Sequence, residues 1–267
     1  MEYAASYSAS YHETASARWT KHFGGVSWCE GNSIFVDRHG NVYITGYFEE
    51  RVSFVRGTLD SAGAADVFVA SFTPSGVERY SMRAGGSELD LGHGVAADGA
   101  GRVYVAGSFQ SQNASFGGSP LSSAGHYDVF LAGYEEGSDS GDLHAAHRFS
   151  VRAGGDARDE GVALAISPSG WLYATGSFTE EVDLGGGPLI RNRRATFVAA
   201  HEITDEGHLN HTSSFAIGGE GGDTQGLSVA ASDTFVCIGG EFIDSLTLGE
   251  RTSVADGRDA FIACFEL

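Results

Sequence analysis

Residues 101–109 read GRVYVAGSF, and the chain carries this stretch in four recognisable copies. GNVYITGYF ends at Phe48, GRVYVAGSF at Phe109, GWLYATGSF at Phe178, and a worn TFVCIGGEF at Phe242. A turn opens each copy, alternating apolar residues follow, and a fixed glycine precedes an aromatic by two places. In the first copy Val42, Ile44, Gly46 and Phe48 point one way, and Tyr43, Thr45 and Tyr47 the other. Both faces are apolar or small, which predicts a strand packed on both sides.

Two rulers give the period. The double glycine recurs at Gly24, Gly85, Gly154 and Gly218, and a phenylalanine recurs at Phe68, Phe130, Phe197 and Phe261, both at intervals of 61 to 69 residues. Each unit reads as four short strands. The first is SIFVD from Ser33, GVAAD from Gly94, ALAIS from Ala163 and LSVAA from Leu227. The second is the opening motif. The third is DVFVASF from Asp66, DVFLAGY from Asp128, TFVAAH from Thr196 and DAFIACF from Asp259. The fourth is ERYSMRA from Glu78, HRFSVRA from His147 and TSSFAI from Thr212, with Arg83 and Arg152 reading as charges that protect an outermost edge. Between the second and third strands lies a small peg: VSF at Val52, ASFGG at Ala114, VDLGG at Val182 and LTLGE at Leu246.

Four-stranded units at this period predict an all-β fold, a β-propeller with four recognisable four-stranded blades. The blades are expected at residues 26–86, 87–155, 156–219 and 220–267. Residues 2–25 read as a partial blade: Tyr3 to Tyr7 align with Phe68 to Phe72, and Trp19 to Phe23 with Tyr80 to Ala84. Trp19 to Phe23 is therefore expected to close the last blade as its outermost strand. A segment of a larger propeller is the alternative. The repeated Gly46, Gly107, Gly176 and Gly240 are expected where a neighbouring blade comes too close for a Cβ.

Composition narrows the partners. With 35 acidic residues against 16 basic, the net charge of −19 repels phosphate backbones, so nucleic acid is not an expected partner. No apolar run is long enough to span a membrane. The opening MEYAASYSAS has neither a basic n-region nor an apolar h-region, so no signal peptide is expected in it. Three cysteines are too few for a disulfide framework, and Cys29, Cys237 and Cys264 are expected as partly buried thiols.

The run GG…GVAADGAGRVYVAGSF…SFGG…AGHYDVFLAGY…HRFSVRAGG resembles the SBBP-type bacterial β-propeller repeats. The resemblance covers nearly the whole chain. It implies the propeller fold, and, because such repeats occur in multicopy and often exported proteins, an extracellular or cell-surface location. Its shared residues are structural, so it implies no activity. The fourth copy departs from it, with Cys237 at the usual tyrosine.

The loops after each double glycine are acidic: Glu30; Glu88 and Asp90; Asp156, Asp159 and Glu160; Glu220 and Asp223. A loop at one fixed place in every repeat emerges on one face of a propeller. The seven carboxylates Glu88, Asp90, Asp156, Asp159, Glu160, Glu220 and Asp223 are thus the candidate site for a cation such as Ca2+, or for a basic partner, against the reading of a solvated acidic rim. No loop has the D-x-D-x-D-G spacing of a dedicated calcium site. His144/His147 and His208/His211 form pairs with too few ligands for a zinc site by themselves. Asp66, Asp128 and Asp259 begin third strands and read as caps on turn amides. Arg191, Arg193 and Arg194 read as a solvated loop.

These features favour a non-catalytic binding or scaffold module, with a protein or carbohydrate ligand taken by loops on one face. The alternative is a propeller hydrolase or lyase with a metal in the central funnel, where the innermost strands offer Asn32, His93, Asp37 and Asp98.

Overall fold

A computed structural model describes residues 16–139, 142–204 and 206–266. The chain forms strands β1 (Cys29–Val36), β2 (Val42–Phe48), β3 (Arg51–Phe54), β4 (Gly57–Asp60), β5 (Asp66–Phe72) and β6 (Glu78–Ala84) in its first repeat. The second holds β7 (Asp90–Ala97), β8 (Val103–Phe109), β9 (Asp128–Asp139) and β10 (Asp142–Ala153). The third holds β11 (Glu160–Ile166), β12 (Trp171–Asp183), β13 (Pro188–Ile203) and β14 (Leu209–Ile217). The fourth holds β15 (Thr224–Ala231), β16 (Phe235–Leu248) and β17 (Arg251–Glu266). These build four antiparallel sheets in meander order, the blades of a four-bladed β-propeller, and β3–β4 is a small hairpin peg on the first. No helix among the described residues is long and apolar enough to cross a membrane.

Each blade has two apolar faces, and at the three junctions between successive blades the facing pair is buried. One cluster merges Tyr43, Val67 and Val69 of the first blade with Val95, Val103, Val105 and Phe130 of the second. Ala96, Tyr104, Ala106 and Leu131 of the second meet Leu172 of the third. Tyr173, Val198 and Ile217 of the third meet Val236, Ile238 and Phe261 of the fourth. Among the described residues no core cluster joins the fourth blade to the first. Ile34 is 66% exposed where its repeat equivalent Val95 is 3% exposed, and Ile262 is 80% exposed where Val69 is 1%.

Trp19 to Phe23 does not form the expected outermost strand of the fourth blade, whose sheet has three strands among the described residues. The aromatic rings decide this. Phe23 stacks on Phe54 with centroids 4.8 Å apart and meets Phe68 edge-on at 5.9 Å. Trp19 lies 6.1 Å from Phe72, and its Nε1–H donates to Pro74 O at 3.1 Å. The segment thus covers the outer part of the free face of the first blade, around Phe54, Phe68 and Phe72, and Gly24 bridges Ser53 as Gly85 bridges Ser115 in the next repeat. The strand expected at Tyr3 to Tyr7 lies outside the described residues.

The cysteines also differ from expectation. Cys237 and Cys264 face each other across β16 and β17 and form a disulfide, and Cys29 is free. They sit at the directly paired positions that Tyr43 and Ser71 occupy in the first blade. A cross-strand pair brings two side chains together whatever their number in the chain.

The fixed glycine has a different cause from the one its repetition suggests. A Cβ on Gly107 would lie 2.0 Å from Leu91 O and 2.6 Å from the Phe130 ring, both within its own blade. In every blade it faces a second glycine on the first strand, and there the pairing slips by one residue, as between Gly92 and Gly94. This is a β-bulge, and it presses the first-strand carbonyl onto the second strand. The close approach between blades falls on that partner glycine: a Cβ on Gly92 would lie 2.5 Å from Thr45 Oγ1 of the preceding blade. Gly107→Ala is expected to cost about 1–3 kcal/mol or more, because backbone must move. Gly57→Ala, with nothing within 4 Å, is the control. Equal denaturation midpoints for the two variants would refute the bulge explanation.

Candidate functional site

The linkers that carry one blade into the next hold the candidate residues. Each runs past the beginning of a third strand, and parallel bridges Ala65–Leu89 and Tyr127–Arg158 tie the first two linkers there. In the third linker, the Arg193 N–H donates to Gly219 O at 3.1 Å. All three linkers therefore lie at the same end of their blades.

The seven carboxylates divide into three groups. Asp90 and Asp159 are fully buried. Asp90 Oδ2 accepts from Gly86 N at 2.6 Å and Ser111 Oγ at 2.7 Å. Asp159 accepts from Gly155 N at 3.0 Å and Thr179 N at 3.1 Å. Glu160 is held by Arg158 at 2.5 Å and Arg194 at 2.9 Å, and Asp223 by Arg193 at 3.2 Å. Glu88, Asp156 and Glu220 are exposed, one in each linker, and among the described residues none has an ion-pair partner. No group of three or more His, Cys, Asp or Glu among the described residues is arranged to hold a metal ion.

The inward pair belongs to a larger charged set. Asp66 Oδ2 accepts from Ala62 N at 2.5 Å and from Arg83 Nη1 at 3.3 Å. Asp128 Oδ2 accepts from Ala124 N at 2.6 Å and from Arg152 Nη1 at 3.0 Å. Arg83 and Arg152 are therefore counter-ions to buried carboxylates, and the edge-protection reading of them is corrected. A Cβ on Gly154 would lie 2.3 Å from Asp128 Oδ1 and 2.6 Å from Asp159 Oδ2, so both oxygens border one point. Gly85 stands between Asp66 and Asp90 in the same way, at 2.1 and 2.7 Å. The first glycine of the double-glycine ruler thus leaves room for a carboxylate pair. Among the described residues Asp66 Oδ1 and Asp128 Oδ1 have no hydrogen-bond partner. At the third junction the equivalent positions are Ala195, Ala216 and Thr224, so all three charges are replaced together. Deleting the arginine alone would leave two buried carboxylates without their counter-ion, whereas replacing the whole set does not.

The histidines do not pair as ligands. His147 and His211 each lay their ring on the double glycine of the neighbouring peg, Gly117-Gly118 and Gly185-Gly186. Their Nε2 atoms meet Ser150 Oγ at 3.2 Å and Ser214 Oγ at 3.1 Å. The legible signal was the H-x-x-S spacing together with the peg glycines. On the innermost strands, Asp37 and Asp98 cap their own turns, and Asn32 Nδ2 donates to Gly92 O at 2.8 Å. His93 shares a hydrogen bond with Ser108 Oγ at 3.2 Å. Burial pushes its pKa down, against the pull of Glu160 and Glu30.

Residues 19–47 match the SBBP beta-propeller repeat family. That stretch runs from Trp19, through the first double glycine and β1, into β2. No curated protein matches the chain.

Burial, with Asp128 adjacent, raises the Asp159 carboxyl from the ordinary 3.8 to about 6, and burial raises Asp90 as well. A folded-state value above the unfolded one means that Asp159's contribution to stability is whole below 3.8 and is lost as pH rises through about 6. Asp128→Asn places an amide N–H beside Asp159 and keeps an oxygen for Ala124 and Arg152. It is expected to flatten the melting-temperature decline between those two pH values and to raise the neutral-pH melting temperature. Calorimetry across that range checks this, and an unchanged slope would show that the two carboxyls do not interact.

Proposed function

We propose that this chain is a non-catalytic binding or scaffold module of a bacterial protein, exported or displayed at the cell surface. Its strands hold the blades, and the interblade linkers meet the partner. The observation that carries this reading is the set Glu88, Asp156 and Glu220: one exposed, unpaired carboxylate in each linker, at the same end of successive blades. The other four carboxylates of the set are consumed by turn amides and arginines, so these three are the ones left to face solvent. On a chain of net charge −19, such an edge attracts a basic protein surface, and a divalent cation such as Ca2+ more weakly.

The Cys237–Cys264 disulfide supports the exported location, because such bonds persist in oxidising compartments. The open faces of the first and fourth blades, with Ile34 and Ile262 exposed, support use within an assembly.

The test is titration of a labelled basic peptide, at low and at high salt, against the wild type and Glu88→Gln/Asp156→Asn/Glu220→Gln. The triple variant is expected to bind more weakly and to lose most of the salt dependence. Melting with millimolar calcium against chelator, at matched ionic strength, tests the cation arm, which predicts a rise through mass action. Equal peptide affinities for the two proteins, with coincident melting curves, would leave only a solvated acidic rim.

A further inference from the structure

The interface between the second and third blades contains a cavity of about 460 Å3. Ala106, Leu131 and Val151 line it from one side, and Ala174, Leu184 and His201 from the other. The repeat shows why it is there. At the first junction the corresponding positions on the following blade hold Val105, Phe116 and Tyr134, all buried in a filled core. Strand register gives two of the equivalences: Tyr134 pairs Val103 as His201 pairs Leu172, and Val105 and Ala174 lie two residues further along. The pegs give the third, since Phe116 and Leu184 each precede a double glycine covered by a histidine ring. On the preceding blade, Thr45 and Met82 become Ala106 and Val151. Val69 alone grows, to Leu131. The third blade thus opposes smaller side chains to the second, and the removed volume is contiguous.

One polar group gives the cavity its chemistry. His201 is 6% exposed. Its Nε2 lies 3.3 Å from Leu184 O, and a carbonyl can only accept, so Nε2 carries the proton. Nδ1 is then a bare acceptor, buried with no partner among the described residues. Buried polar atoms are ordinarily satisfied, so a group without a partner that lines a cavity points to something that donates to it. The imidazole stays neutral at physiological pH, because burial pushes its pKa down to about 4. Arg152, Asp183 and His211 also line the cavity, but each is engaged: Arg152 Nη1 by Asp128 and Gly154 O, Asp183 Oδ1 by the N–H groups of Gly185 and Gly187, and His211 Nε2 by Ser214 Oγ.

We propose that this cavity binds a small, largely apolar molecule that donates one hydrogen bond, from a hydroxyl or N–H, to His201 Nδ1. The volume lies within the span of about 300–1,000 Å3 found for ligand pockets, and apolar walls with one placed polar group are the usual lining. None of the exposed linker carboxylates Glu88, Asp156 and Glu220 lines the cavity, and the proposal does not depend on them.

The experiment uses the full chain and the fluorescent probe 2-naphthol, with its methyl ether as the partner that lacks a donor. Saturable binding of one naphthol per chain is expected, with the ether weaker by about tenfold, the loss of one hydrogen bond. Ala174→Val/Leu184→Phe, which installs the side chains of the second blade, is expected to abolish binding and to hold or raise the melting temperature. His201→Phe places there the residue that the first blade carries as Phe72. It is expected to remove the preference for naphthol over the ether even where residual binding persists. Absence of saturable binding, equal affinity for the two probes in the wild type, or undiminished binding to a folded cavity-filled variant would each overturn the proposal.

Discussion

A sheet of four short strands with apolar side chains on both faces cannot bury them within itself. Successive blades meet that constraint by facing their apolar sides to one another, and the rest of the structure follows from how closely two blades can approach. The first strand comes closest, so the small residues Gly92, Gly161 and Gly226 stand where a Cβ would strike the preceding blade. The bulge beside each lets the strand turn its next residues toward the core, and the fixed glycine opposite absorbs the displaced carbonyl.

The same closeness explains the buried charge. Where β5 or β9 begins, its aspartate lies against the aspartate that ends the next linker. One arginine from the fourth strand and several turn amides hold the pair. Such a set contributes less to net stability than to a defined junction, because desolvation offsets much of the attraction. Its wholesale replacement by Ala195, Ala216 and Thr224 at the third junction shows that an uncharged solution serves the same fold. What is retained at all three junctions is the glycine between them, at Gly85, Gly154 and Gly218.

Repetition also separates structure from specialisation. Features present at every junction, such as the bulge, the peg and the core phenylalanine, follow from the architecture. Features present once are where a particular role can reside. The disulfide stands on the unpartnered face of the fourth blade, and the cavity appears at one interface. The histidine in that cavity replaces an aromatic that fills the equivalent place in its neighbours.

The sequence by itself determined the period, the alternation of the strands, the number of recognisable blades and the acidic linkers. These are local or periodic properties, and a strand's two-residue rhythm or a turn's glycine is readable without knowing its neighbours. Tertiary structure alone decided which face each repeated residue meets. Arg83 looked like an edge charge until β5 placed Asp66 beside it, and Cys237 and Cys264 looked like free thiols until register set them opposite each other. Trp19 and Phe23 had the alternation of a closing strand, yet the rings of Phe54, Phe68 and Phe72 gave them a larger apolar surface on the first blade. The cavity is the clearest case. Ala174, Leu184 and His201 stand on three different segments of the third blade and are unremarkable one by one, and only their gathering on one side of an interface turns three modest losses of volume into a single space.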